Sequence, residues 1–119
     1  MRVVIVDDDE RLLSAMQECF IGAGDEVVTF AQFEPAKSYL ATAEIDALVT
    51  DVRLGAYNGL QLVMLAKWGH PEMKAMVLSG FEDPVLRHDA ANIGASFCLK
   101  PVDREQLLHG IHGAASQSA

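Results

Sequence analysis

The sequence predicts an α/β fold: five parallel strands alternating with five helices in a doubly wound sheet. Short apolar runs recur at Val3–Val6, Val27–Phe30, Ala47–Val49, Ala75–Leu78 and Ser96–Leu99. Continuous apolar runs of this kind mark strands buried on both faces. After each run comes a stretch whose apolar residues recur at helical spacing. That alternation implies a parallel sheet with helices on both sides. The 119 residues suit one domain with a single substantial core.

Each element follows from local chemistry. Val3-Val4-Ile5-Val6 ends at the acidic run Asp7-Asp8-Asp9-Glu10, and Leu12, Leu13, Met16, Phe20 and Ile21 then outline a first helix that Gly22 and Gly24 close. Val27–Phe30 is the second strand. The second helix runs from about Pro35, a good first-turn residue, through Ala36, Tyr39 and Leu40. The third strand is Ala47-Leu48-Val49-Thr50, ending at Asp51. A loop over 52–57 leads to Asn58, a helix cap with Gln61 three residues on, and the third helix carries Leu60, Val63, Met64 and Trp68 before Gly69-His70-Pro71 stops it. The fourth strand ends in Ser79-Gly80. Asp83-Pro84 opens a helix that reaches Ile93-Gly94, and the fifth strand ends at Lys100-Pro101. Asp103 with Gln106 opens a last helix bearing Leu107, Leu108 and Ile111. Right-handed crossovers restrict the topology, and the flavodoxin-like strand order 2-1-3-4-5 is expected, with strands one and three adjacent at a switch point. Residues 1–115 form the domain, and 116–119 read as a tail or the start of a linker.

Charge and composition exclude several classes. Seventeen acids stand against nine Lys plus Arg, a net charge of −8, which argues against direct nucleic-acid binding and against docking on an anionic membrane. No apolar run approaches the ~20 residues of a membrane helix, and the N-terminus turns acidic too soon for a signal peptide. Cys19 and Cys98 show no ligand spacing and read as two small buried hydrophobes with free thiols. A reducing, cytoplasmic setting is expected.

In a parallel sheet the strand C-termini line one rim, where ligands bind. Here that rim collects Asp7, Asp8 and Asp9, then Asp51, Ser79 and Lys100. Carboxylates from adjacent strands repel unless something positive joins them. Lys100 is one such cation. Mg²⁺ is another: it takes one or two carboxylates, several waters and a phosphate oxygen. These residues suggest uptake of a phosphoryl group, with Asp51 as nucleophile. Asp7 and Asp8 would hold the metal, and the backbone carbonyl of Arg53 could add a ligand. Ser79 and Lys100 would bind the phosphoryl oxygens, and Gly80 would keep the approach open.

At these residues the chain resembles the receiver domain of two-component response regulators over essentially its whole length. The resemblance rests on Val6-Asp7-Asp8-Asp9, on Asp51 with Gly59 eight positions later, on Ser79-Gly80, and on Phe97 three before Lys100-Pro101. It implies that Asp51 is phosphorylated from a histidine kinase or a histidine phosphotransfer protein, with Mg²⁺ on Asp7, Asp8 and Asp51. It implies Ser79 as the switch hydroxyl, Phe97 as the switch aromatic, and a cis bond at Lys100-Pro101. The output face would be the fourth helix, fifth strand and fifth helix, acting on an output domain or downstream protein or through a phosphorylation-dependent dimer. Such a domain is a phosphoacceptor with self-catalysed transfer and slow autodephosphorylation, not an enzyme. Two departures stand out. Gly55 occupies a loop position where the family often has Pro, which predicts a floppier loop. Phe97 replaces the more polar Tyr. Arg53, two after Asp51, faces the path of attacking water in the family.

Blander readings apply to single residues. Asp51 alone would be a loop acid or helix cap, Asp9 is better read as the first helix's cap than as a ligand, and Phe97 alone would be core. His70, His88, His109 and His112 read as surface residues, and Trp68 as packing. Among competing classes, a haloacid-dehalogenase-type phosphatase would use Asp7-x-Asp9, but Arg11 stands where that motif wants Thr or Val. A flavodoxin proper would need a Ser/Thr-rich phosphate loop where this chain has four acids. A receiver-like domain that has lost phosphorylation is opposed by the intact Asp7, Asp8, Asp51 and Lys100. The linker-like tail leans toward a receiver excised from a longer regulator.

Overall fold

The structure, a computed structural model, describes residues 1–113. The expected domain end at 115 and the tail 116–119 lie outside the described residues. Five parallel strands form one sheet: β1 (Arg2–Val6), β2 (Glu26–Phe30), β3 (Ala47–Asp51), β6 (Lys74–Ser79) and β7 (Ser96–Leu99). Their order is β2-β1-β3-β6-β7, the expected 2-1-3-4-5 arrangement counted by main-sheet strands. The helices are α1 (Glu10–Gly22), α2 (Phe33–Thr42), α3 (Gly59–Gly69), α4 (Pro84–Asn92) and α5 (Arg104–His112).

The pleat sends alternate residues to opposite faces. Val3, Ile5, Ala47 and Val49 pack with Leu13, Met16 and Phe20 of α1 and with Leu107 and Ile111 of α5. Val4, Val6, Leu48 and Val77 pack on the other face with Ala36 and Leu40 of α2, Leu62, Val63 and Ala66 of α3, and Ala90 of α4. Each fully buried Val, Leu or Ile contributes about 1.5–3 kcal/mol of transfer free energy. α4 is the least anchored helix, with Ala90 as its one buried residue.

The caps follow the sequence. Asp9 accepts from the Arg11 and Leu12 N–H groups, Asp83 from Val85 and Leu86, and Asn58–Gln61 and Asp103–Gln106 form capping boxes. The Lys100–Pro101 bond is cis.

Several local expectations are corrected. The second helix begins at Phe33, not Pro35, because Phe33 is buried and anchors the first turn; Pro35 sits within that turn, where N–H groups have no intrahelical partner to lose. The residues after Asp51 are not an open loop. They pair as a hairpin of β4 (Arg53–Leu54) and β5 (Tyr57–Asn58), in the register Arg53↔Asn58 and Leu54↔Tyr57. Gly55 has φ +62° and makes the tight turn. The Tyr57 ring stacks on Phe33, with centroids 4.3 Å apart and planes 7° from parallel, a contact of about 0.5–1.5 kcal/mol beyond area burial. On α3, Met64 is exposed and Trp68 is 92% exposed. The helix sets Leu62, Val63 and Ala66 against the sheet, which turns residues 64 and 68 to solvent. Ile21 is likewise exposed, and both cysteines are half-buried free thiols rather than buried ones. His112 is not a plain surface residue: its Nε2 lies 2.7 Å from Oδ2 of buried Asp25 and ties α5 to the residue preceding β2.

Gly59 starts α3 hard against β3. A Cβ there would clash with the Asp51 carbonyl oxygen and lie 2.9 Å from Thr50 Oγ1, whereas at Gly69 a Cβ meets nothing within 4 Å. Gly59→Ala is expected to cost about 1–3 kcal/mol in urea unfolding, while Gly69→Ala leaves stability unchanged or raised. Equal effects of the two substitutions would refute this account of the β3–α3 junction.

Candidate functional site

Strand order brings the candidate residues to one rim. β1 and β3 are neighbours, so Asp7, just after β1, and Asp51, the last residue of β3, emerge side by side. Asp7 is fully buried, Asp51 is 7% exposed and Asp8 is exposed. Carboxylate oxygens of the three lie within 4.8 Å of one another. Lys100 follows β7 and reaches back across the sheet: its Nζ lies 3.1 Å from Asp7 Oδ2 and 3.3 Å from Asp51 Oδ2.

Backbone donors supplement this cation. Asp9 N–H donates to Asp7 Oδ1 at 2.9 Å, and Arg53 N–H reaches Asp51 Oδ1 at 3.4 Å. Asp7 Oδ2 is buried with no partner of hydrogen-bonding geometry, although the Lys100 ammonium is close by. A buried carboxylate oxygen left in this way, beside two more carboxylates, is a donor set that fits a hard divalent cation.

The electrostatics are strained. Burial pushes the Asp51 carboxyl above its ordinary value, the charge of Asp7 pushes it further, and Lys100 only partly opposes them. Burial disfavours the charged Lys100, but Asp7 and then Asp51 outweigh it and hold the ammonium's pKa raised.

Ser79, Phe97 and Arg53 face other partners. The Ser79 hydroxyl, buried at the end of β6, donates to the Phe81 carbonyl at 2.9 Å and accepts from the Phe81 N–H at 3.1 Å. Phe97 is half-buried on edge strand β7, with the Arg87 guanidinium 4.4 Å above its ring; Arg87 is itself held by Glu82 at 2.8–3.0 Å. The Arg53 guanidinium lies over the exposed Phe81 ring, 5.1 Å from its centroid. Sequence reasoning missed Phe81 as the backbone partner of Ser79, and it missed Thr50, whose buried hydroxyl donates to the Asp51 carbonyl at 2.9 Å. It also missed the Phe33–Tyr57 clamp, for which the Gly55-Ala56 pair between Leu54 and Tyr57 was the available signal.

A carboxyl whose pKa is raised on folding stabilises the folded state fully below its unfolded value, and that contribution is lost as pH rises through the folded value. Asp51→Asn therefore melts higher than the native protein at neutral pH without divalent cations, by on the order of a few °C. The gap closes as pH falls through the raised value toward 3.8. Thermal melts across that range check this, and a native protein that melts higher at neutral pH contradicts it.

The chain matches the family model of the response regulator receiver domain over residues 3–112. It is 27% identical over 115 residues to the DNA-binding transcriptional regulator NtrC of Salmonella typhimurium, covering 96% of this chain and 24% of that protein. The chain spans between about a quarter and under half of the length of the curated relatives it matches. It superposes on a CheY-like response regulator receiver domain protein from Methanospirillum hungatei JF-1 with TM-score 0.88 and 25% identity, covering 98% and 94% of the two chains. The beryllofluoride-activated NtrC4 receiver domain dimer matches with TM-score 0.87 and 24% identity over 99% and 98%. With every strand and helix from β1 through α5 inside the matched span apart from Arg2, the first residue of β1, the chain belongs to the receiver domains of two-component response regulators.

Proposed function

We propose that this domain takes a phosphoryl group from a phosphohistidine donor, a histidine kinase or histidine phosphotransfer protein, onto Asp51. The observation that carries this reading is the convergence of Asp7, Asp8 and Asp51 within 4.8 Å, with Lys100 bridging two of them. An Asp51 carboxylate oxygen attacks phosphorus. A new O–P bond forms as the donor's P–N bond breaks, and the electron pair stays on the imidazole nitrogen, which takes a proton from solvent. Asp7, Asp8, Asp51 and the Arg53 carbonyl would hold Mg²⁺, which supplies charge neutralisation for the transferring phosphoryl oxygens. The Lys100 ammonium keeps its proton and binds one of those oxygens.

Ser79 would then leave the Phe81 backbone to bond the phosphoryl group, releasing the segment that leads into α4. α4 suits a two-state role because it is lightly packed, with Leu86 and Ile93 only partly buried beside Ala90. Phe97 on β7 would follow, and the changed surface would be α4, β7 and α5. The reading extends to a domain over 1–115, a cytoplasmic setting, an output domain or downstream protein, and a phosphorylation-dependent dimer. Among the described residues no helix is long and apolar enough to cross a membrane.

Incubation with Mg²⁺ and acetyl phosphate is expected to give an adduct labile to base and hydroxylamine, seen by intact-mass spectrometry. Asp51→Asn abolishes it, and Ser79→Ala retains it while losing the accompanying change in the amide spectrum. An adduct that survives Asp51→Asn refutes the assignment.

A further inference from the structure

We propose that Phe33 and Tyr57 are positioning residues for the divalent cation, acting through the β4–β5 hairpin that carries Arg53. The inference rests on reading Asp7, Asp8, Asp51 and the Arg53 carbonyl as the metal's protein ligands. Two of those acids need no further support. Asp51 ends, and Asp7 directly follows, a strand that is buried on both faces. Arg53 belongs to a two-residue strand outside the five-stranded sheet. A hairpin that short does not hold its shape alone.

Three contacts hold it here. Leu54 is buried against the α2–α3 side of the core. Gly59 N–H donates to the Val52 carbonyl at 2.7 Å and closes the base of the hairpin. The Tyr57 ring stacks face to face on Phe33. Phe33 is a fixed platform, 6% exposed at the first residue of α2. Tyr57 pairs with Leu54, next to the Arg53↔Asn58 pair, so pinning Tyr57 fixes the register at Arg53.

That register matters for the ligand. Arg53 N–H faces Asp51 Oδ1. In an extended strand the N–H and C=O of one residue lie on the same edge, which sets the Arg53 carbonyl on the carboxylate side. The hairpin, the start of α2 and Asp8 together line a cleft of about 460 Å³. Without the stack, the hairpin is free to shift across that cleft and take the Arg53 carbonyl out of register with the Asp51 carboxylate.

Calorimetric titration with Mg²⁺ at neutral pH tests this on the native protein, Tyr57→Ala, Tyr57→Phe and Phe33→Leu. Tyr57→Ala and Phe33→Leu are expected to bind about tenfold more weakly, the scale of lost support behind a metal ligand. Tyr57→Phe binds like the native protein, because the stack needs the ring and not the hydroxyl. Losing the stack lowers the metal-free melt of Tyr57→Ala by a few °C, so the titration is read well below that melt, where both proteins are fully folded and a merely structural role leaves the affinity unchanged. Equal affinity for native and Tyr57→Ala overturns the positioning role while leaving the metal reading intact, and so does an equal loss in Tyr57→Phe. A native protein that takes up no Mg²⁺ overturns the metal reading and this inference with it.

Discussion

Three carboxylates and one ammonium at a single sheet rim form the constraint on which the structure turns. Asp7 and Asp51 are buried, and their oxygens crowd with those of Asp8 within 4.8 Å. Buried like charges are expensive unless compensated. The compensating cation comes from far along the chain. In the order β1-β3-β6-β7, Lys100 follows a strand two places from β3, on the order of 10 Å across the sheet. A four-carbon stem with a compact ammonium spans that gap while keeping three rotatable donors. The compensation is incomplete, since the Asp51 carboxyl stays raised and Asp7 Oδ2 keeps no hydrogen-bonded partner. A rim left short of positive charge in this way is suited to gaining a divalent cation, and a phosphoryl group needs the same positive charge to arrive.

The same rim is wired to α4 through few bonds. Lys100 N–H donates to the Ser79 carbonyl at 2.8 Å, so the cation and the hydroxyl residue move as neighbours. The Ser79 hydroxyl bonds both backbone groups of Phe81. Two residues further on, Asp83 caps α4, and Glu82 holds Arg87 over Phe97. The segment 79–83 therefore links the site, the start of α4 and the aromatic on β7. In the proposed reading one hydroxyl serves either the loop or the phosphoryl group, and this competition makes the segment a two-state element. The exposed Glu82–Arg87 pair adds little energy by itself; its effect is to direct the guanidinium onto the ring.

The strands were legible because burial on both faces leaves continuous apolar runs, as in Val3–Val6 and Ala47–Val49. The caps at Asp9, Asn58, Asp83 and Asp103 were legible because capping is local chemistry. Asp7, Asp8, Asp51 and Lys100 could be brought together before the structure because a parallel sheet gathers its strand ends. What failed depended on rotation or on distant partners. α3 is apolar nearly all round, so its sequence could not say that Leu62, Val63 and Ala66 face inward while Met64 and Trp68 face out. The His112–Asp25 contact joins residues 87 apart, and no local pattern announces it. The second helix read as starting near Pro35 rather than at Phe33, because the Tyr57 ring that stacks on Phe33 comes from another element.

Gly55 shows how a departure at one position reorganises its surroundings. Proline fixes φ near −65°, whereas this turn requires φ +62° at residue 55. The two solutions exclude each other: a ring that stiffens an open loop cannot make this hairpin, and the glycine that makes the hairpin brings no stiffness of its own. The order that proline would supply locally must come from elsewhere. Here it comes from the pairing of Arg53–Leu54 with Tyr57–Asn58, from buried Leu54, and from the Tyr57 ring lying on Phe33. The order of the segment after Asp51 thus depends on α2, an element that contributes no candidate ligand. The expectation of a floppy loop treated the glycine as an isolated substitution. Its consequence depends on whether the flanking residues can pair and stack, and in this chain they do.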